Sequence, residues 1–77
     1  MTVSRIAAAD APAAVGPYSQ AVSTGAAAGS TVYISGQVPL DPATGALVEG
    51  GVEAQAEQVL KNVGAILVEA GLGYADV

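Results

Sequence analysis

The stretch Thr31-Val32-Tyr33-Ile34-Ser35-Gly36-Gln37-Val38-Pro39-Leu40-Asp41-Pro42-Ala43-Thr44-Gly45 carries more structural information than any other part of this chain. Val32, Ile34, Gly36 and Val38 alternate with Thr31, Tyr33, Ser35 and Gln37, so one face is apolar and the other carries hydroxyls and an amide. That period of two predicts a strand over 31–38, half-buried against a core. Gly36 interrupts the apolar face, and a glycine inside a strand marks a bulge or a place where a ligand or another backbone comes close. The strand is therefore a candidate site wall. Asp41 to Gly45 reads as a tight turn: aspartate caps its own backbone, proline presets the second position and glycine supplies the left-handed residue. Asp41 is better explained as a turn residue than as an acid or a ligand.

Upstream, Gly16-Pro17 is a turn signal and 18–23 reads as a second strand. Residues 2–8 form a candidate first strand, weakened by the alanine run and by Ala11-Pro12, since proline donates no ladder bond. Gly25 to Ser30 is a loop of small residues. Downstream, Val52, Ala56, Val59, Leu60, Val63, Ile66, Leu67 and Ala70 recur at the spacing of one helical face. Glu53 and Glu57 suit the helix N-terminus, and Glu57 is placed to pair with Lys61 at i, i+4. Gly71 should be the left-handed cap, with Leu72 reaching back to Leu67. No repeat or linker divides the chain, so residues 1–77 read as one α+β domain of two or three strands and one amphipathic helix.

With 77 residues, a single core is marginal without metals, disulfides or partner subunits. The chain has no Cys and no His, which removes disulfides and the usual zinc sites. Its hydrophobic content of 52% opposes disorder. No apolar run approaches a membrane span and the first residues do not resemble a signal peptide, so the expected location is the cytosol. A net charge of −5, with Arg5 and Lys61 as the two cations, opposes nucleic-acid binding.

A nucleophilic triad lacks its usual base here, and neither glycine-rich phosphate loop is present. Glu53, Glu57 and Glu69 read as a solvated helix face. What remains is the phenol of Tyr18, the hydroxyl of Ser35 and the backbone at Gly36, which together can hydrogen-bond a small polar ligand. The plain alternative is a half-buried strand tyrosine and an edge-strand hydroxyl.

Pro12, Gly16-Pro17-Tyr18-Ser19-Gln20-Ala21, Val32 to Pro39, Asp41 to Gly45 and Gln55 to Gly71, in that order, resemble the RidA/YjgF family of reactive-intermediate deaminases. The resemblance implies a chorismate-mutase-like (YjgF-like) fold, a cytoplasmic homotrimer with sites between subunits, and no cofactor or metal. It implies a hydrolase acting on 2-imino and enamine acids, which become 2-oxo acids and ammonia. Tyr18 matches the family's site tyrosine, and Ser35 and Gly36 match the Ser-Gly pair at the wall of the substrate cleft.

The family's carboxylate-clamping arginine, the cysteine beside it and its water-positioning glutamate correspond to positions after Val77, as do further strands and a second helix. Residues 1–77 thus correspond to a partial, N-terminal portion of the family domain, and catalytic residues are not assigned. Neither Arg5, near the chain's end, nor Lys61, on the polar side of the helix, matches the clamp. That departure keeps two alternatives open: a non-catalytic small-molecule-binding or protein-interaction module, and an inactive fragment.

Overall fold

The computed structural model describes residues 3–25 and 30–77. Three short strands, β1 (Ser4–Ile6), β2 (Ala21–Ser23) and β3 (Val32–Ile34), form an antiparallel sheet in the order β1-β2-β3. One long helix, α1 (Val52–Glu69), packs on it, and a 3-10 turn at Tyr74–Asp76 follows. This is the α+β arrangement that the alternation and the helical period predict.

The register decides what faces the helix. Ile6, Ala21 and Ile34 are paired across the three strands, as are Ser4, Ser23 and Val32. Side chains alternate across a sheet, so these two rows share one face, and Arg5, Val22 and Tyr33 share the other. Ala8, Ala11, Ala21 and Ile66 form the buried core, with Ile6, Val32, Ile34 and Ala65 packed against it. Ile66 is fully buried, worth about 2 kcal/mol of transfer free energy. The alanines around it contribute much less each, and polar ties supply part of what remains.

All three strands are shorter than their patterns predict. β1 keeps Ser4 to Ile6 of the expected 2–8, and Thr2 lies outside the described residues. Arg5 is accordingly a strand residue opposite Val22, not part of a loose end. β2 begins at Ala21 because Tyr18 N–H turns back to the Gly16 carbonyl, 2.8 Å away, across Pro17. β3 ends at Ile34. One further ladder bond follows, from Ser35 N–H to Gln20 O at 3.0 Å, after which Pro39 has no N–H to offer. Gly36 and Val38 therefore lie beyond the strand, and Val38 is exposed. Of the predicted small-residue loop, 26–29 lie outside the described residues; Thr24 and Thr31 close it through Thr24 N–H to Thr31 O at 2.9 Å.

The turn at Asp41 forms as the sequence predicts. Asp41 Oδ1 accepts from Ala43 N–H at 2.8 Å, Gly45 N–H donates to Asp41 O at 2.7 Å, and Gly45 has φ +74°. Leu40 and Leu47 bridge across it.

The helix forms where predicted but is rotated relative to the apolar spacing. Asn62, Ile66 and Leu67 are its buried residues, whereas Val52, Ala56 and Leu60 face solvent. Its inward face runs through Gln55, Gln58, Val59, Asn62, Val63 and Ile66, and near mid-helix Asn62 meets two backbone carbonyls of the segment after β3, which demand a donor, while Gln58 completes the bonding of Asn62. The C-terminal end is as expected. Leu72 N–H donates to Leu67 O at 2.7 Å, Gly71 N–H to Val68 O at 2.9 Å, and Gly71 takes φ +78°. Glu57 and Lys61 pair at 3.6 Å in solvent, where such a pair is worth a few tenths of a kcal/mol.

Candidate functional site

Tyr18, Ser35 and Gly36, which the sequence singles out, line one depression together with Pro12, Gln20 and Val38. Tyr18 reaches it from the turn before β2, and Ser35 and Gly36 from the end of β3. Tyr18 Oη accepts a hydrogen bond from Val15 N–H at 3.3 Å, which leaves its own O–H to donate. Its side chain is half exposed. Ser35 Oγ accepts from Gln37 Nε2 at 3.2 Å, and the same amide donates to the Ser35 carbonyl, so the Gln37 side chain steadies the serine and leaves its O–H directable.

Gly36 has an informative environment. A Cβ built there would meet nothing within 4 Å, and its φ is not in the left-handed region. Neither packing among the described residues nor backbone conformation demands glycine at this position. Gly36 itself lines the depression.

The depression encloses a cavity of about 20 Å³, enough for one water. No Asp, Glu, Lys or Arg lines it. Among the described residues no cluster of acidic side chains is arranged to hold a metal, and no helix is long and apolar enough to cross a membrane. Arg5 lines a polar notch with Gly16, Pro17, Tyr18 and Ser19, so Tyr18 borders both.

Two buried amides that the sequence reading did not assign to the site support it. Gln20 Oε1 accepts from Ala8 N–H, and its Nε2 donates to Pro12 O at 2.6 Å and to Ala8 O and Ala11 O at 3.3 Å each. Asn62 Nδ2 donates to Val38 O and Leu40 O, both at 3.1 Å, while its Oδ1 accepts from Gln58 Nε2 at 2.9 Å. The signal was present for Asn62, which stands four residues before Ile66 and three after Val59, in phase with the core.

A family model described as Endoribonuclease L-PSP matches residues 8–77. The chain belongs to that family. RidA and YjgF proteins are among the solved structures it resembles, as the motifs around Tyr18 and Ser35 suggest. This L-PSP chain is 57% identical over 67 residues to the mouse 2-iminobutanoate/2-iminopropanoate deaminase, covering 87% of its own length and 47% of the relative's. It superimposes on YyfA, a Rid-family protein of unknown function from Yersinia pestis, with a TM-score of 0.82 and 46% identity, covering 95% of this chain and 55% of that one. TdcF of E. coli, solved with bound serine, matches at TM-score 0.80 and 42% identity, over 95% and 54% of the two chains. The fold is thus that of the RidA/YjgF proteins, and the chain spans about half the length of the curated relatives it matches.

Proposed function

We propose that residues 1–77, acting as one partial domain, supply one wall of a site that hydrolyses 2-imino and enamine acids to 2-oxo acids and ammonia. The observation that carries this reading is the convergence of Tyr18, Ser35 and Gly36 on a single depression in a chain 57% identical to a deaminase of that specificity. The three residues are proposed as substrate-binding. Tyr18 and Ser35 each keep a hydroxyl hydrogen for the imine nitrogen or the carboxylate, and the bare Cα of Gly36 lets a planar substrate lie close.

The chemistry asks little of the wall. Water oxygen bonds to the imine carbon to give a carbinolamine; the C–N bond then breaks, ammonia leaves and the carbonyl forms. An enamine first takes a proton at its terminal carbon. The wall's part is orientation, and with no cation lining the depression the substrate carboxylate needs a guanidinium from a facing surface. A cavity for one water is smaller than a four-carbon acid, so the wall becomes a binding site only when another surface covers it. A cytosolic homotrimer with the site between subunits meets both needs, without metal or cofactor.

The same lack of a cation favours, as second reading, a binder of small polar metabolites without turnover. An RNA ligand is disfavoured by a net charge of −5 with two cations.

The test generates 2-iminobutanoate in place with a dehydratase and follows ammonia and 2-oxobutanoate. It compares the 77-residue chain with a fusion of that chain to the C-terminal half of the mouse relative. Turnover by the fusion that falls at least tenfold in Tyr18→Phe supports the wall. A fusion that binds 2-oxobutanoate but forms ammonia only at the spontaneous rate leaves the binding reading.

A further inference from the structure

The depression lined by Tyr18, Ser35 and Gly36 has two lips, and neither belongs to the sheet. One is the segment from Pro12 to Val15, the other the segment from Val38 to Leu40. The two lips are not strands of one ladder, so no strand pairing fixes their separation, yet a site for a small acid must hold its contacts to within about half an ångström. The second lip is bonded to its own hairpin, through Val48 N–H to Pro39 O at 2.9 Å and the Leu40–Leu47 bridge, and a buried carboxamide ties each lip to the rest of the fold. Gln20 holds Pro12, and Asn62 holds Val38 and Leu40.

Asn62 is the more constrained of the two. It is fully buried, and its two amide hydrogens meet two carbonyls while its oxygen is taken by Gln58. Turning the amide over would set oxygen against two carbonyl oxygens and nitrogen against the Gln58 amide, so only one orientation is satisfied. Pro39, between the two carbonyls, cannot tie this segment through an N–H of its own. Asn62 thus fixes the lip that continues directly from Ser35 and Gly36, from a helix that does not itself line the depression.

We infer that Asn62 is a positioning residue of the candidate site: by holding the Val38 and Leu40 carbonyls to helix α1 it sets the opening of the depression, and so the fit of a small 2-oxo or 2-imino acid. This rests on the reading of the depression as a substrate wall.

The test titrates the fusion of this chain to the C-terminal half of the mouse relative with 2-oxobutanoate and reads the amide resonances of Ser35 and Gly36. Helix content is followed in parallel. Asn62→Asp keeps the shape, but its carboxylate repels both carbonyls. Burial pushes such a carboxyl up, and Lys61 faces solvent with Glu57. The protonated acid has one hydrogen for one carbonyl. Its contribution is therefore present at low pH and lost as pH rises through the raised folded pKa.

Asn62→Asp should bind about tenfold more weakly than the parent at neutral pH, about 1.4 kcal/mol, and recover part of that difference as pH falls. Asn62→Leu should be equally weak, with no recovery relative to the parent. Parent-like binding by both variants, or losses that follow helix content alone without the pH-dependent recovery, would overturn the positioning role while leaving the wall intact. A parent fusion that gives no shift at Ser35 or Gly36 would sink the reading of the wall and this inference with it.

Discussion

Tyr74 lies across Gly64: its hydroxyl donates to the Leu60 carbonyl, and a Cβ on Gly64 would come within 2.8 Å of its ring carbon Cζ. Glycine in mid-helix ordinarily costs about 1 kcal/mol relative to alanine. Here it admits a tyrosine that follows the helix by a tight turn and comes back to bond to it.

That relationship predicts a change of sign. Gly64→Ala alone should destabilise by about 1 kcal/mol, because displacing Tyr74 forfeits its hydrogen bond and packing, which outweighs the helix gain. In a Tyr74→Ala background the same substitution should stabilise by about 0.5–1 kcal/mol. Urea unfolding of the four proteins measures both. Equal effects of Gly64→Ala in the two backgrounds would show that the contact does not explain the glycine.

Gln20 is the other residue whose removal should be severe. It joins β2 to the segment 8–12 through four hydrogen bonds, and that segment carries Ala8 and Ala11 of the core. Gln20→Leu leaves the Ala8 N–H and the Pro12 carbonyl without partners, at about 1–3 kcal/mol for each unsatisfied buried group. In a domain with so small a core, a loss of about 3 kcal/mol should appear as a large drop in the urea midpoint. Gln20→Glu should be less damaging below the carboxyl's folded pKa, where the neutral acid still donates one hydrogen. A Gln20→Leu chain with an unchanged midpoint would show that water supplies those bonds.

What the sequence made legible follows from what kind of force set each element. The turn at Asp41, the stop at Gly71 and the Glu57–Lys61 pair are local, settled by residues within four or five positions, and they appear as read. The helix face was misjudged at Val52, Ala56 and Leu60 because apolar spacing assumes an apolar partner. The actual partner includes the Val38 and Leu40 carbonyls, 22 to 24 residues away, and it selects Asn62. The strand predicted through Val38 failed similarly, since alternation continues past Ile34 while its pairing partner, β2, begins only at Ala21. Tyr18, Ser35 and Gly36 stood out by residue type and motif, whereas the amides that hold the depression's lips are visible only once the lips are placed.

Two left-handed glycines should respond differently to the same substitution. Gly50 has φ +115° and a Cβ there would lie 2.9 Å from Ala54 Cβ, whereas Gly45 has φ +74° and open space around the added atom. Gly45→Ala should cost about 1 kcal/mol from backbone strain alone. Gly50→Ala adds a collision with the first turn of α1 and should cost at least about twice as much. Thermal unfolding of the two variants orders them, and the reverse order would contradict the backbone geometry at the start of the helix.

Gly36 allows stability and function to be separated in one residue. Its backbone is not left-handed and none of the described residues occupies the space a Cβ would fill, so Gly36→Ala removes only the flexibility of the unfolded glycine. Such a change stabilises by about 0.4–1 kcal/mol where the native backbone accepts it. Gly36 nonetheless lines the depression that Tyr18 and Ser35 share. If that space belongs to a planar substrate, Gly36→Ala should raise the urea midpoint slightly while weakening 2-oxobutanoate binding severalfold, and Gly36→Val should abolish binding with little loss of fold. Stability and binding falling together would mean that glycine serves the fold after all. Unchanged binding in Gly36→Val would remove this wall from the site, because a ligand in contact with Ser35 and Tyr18 would have to meet the two added methyl groups.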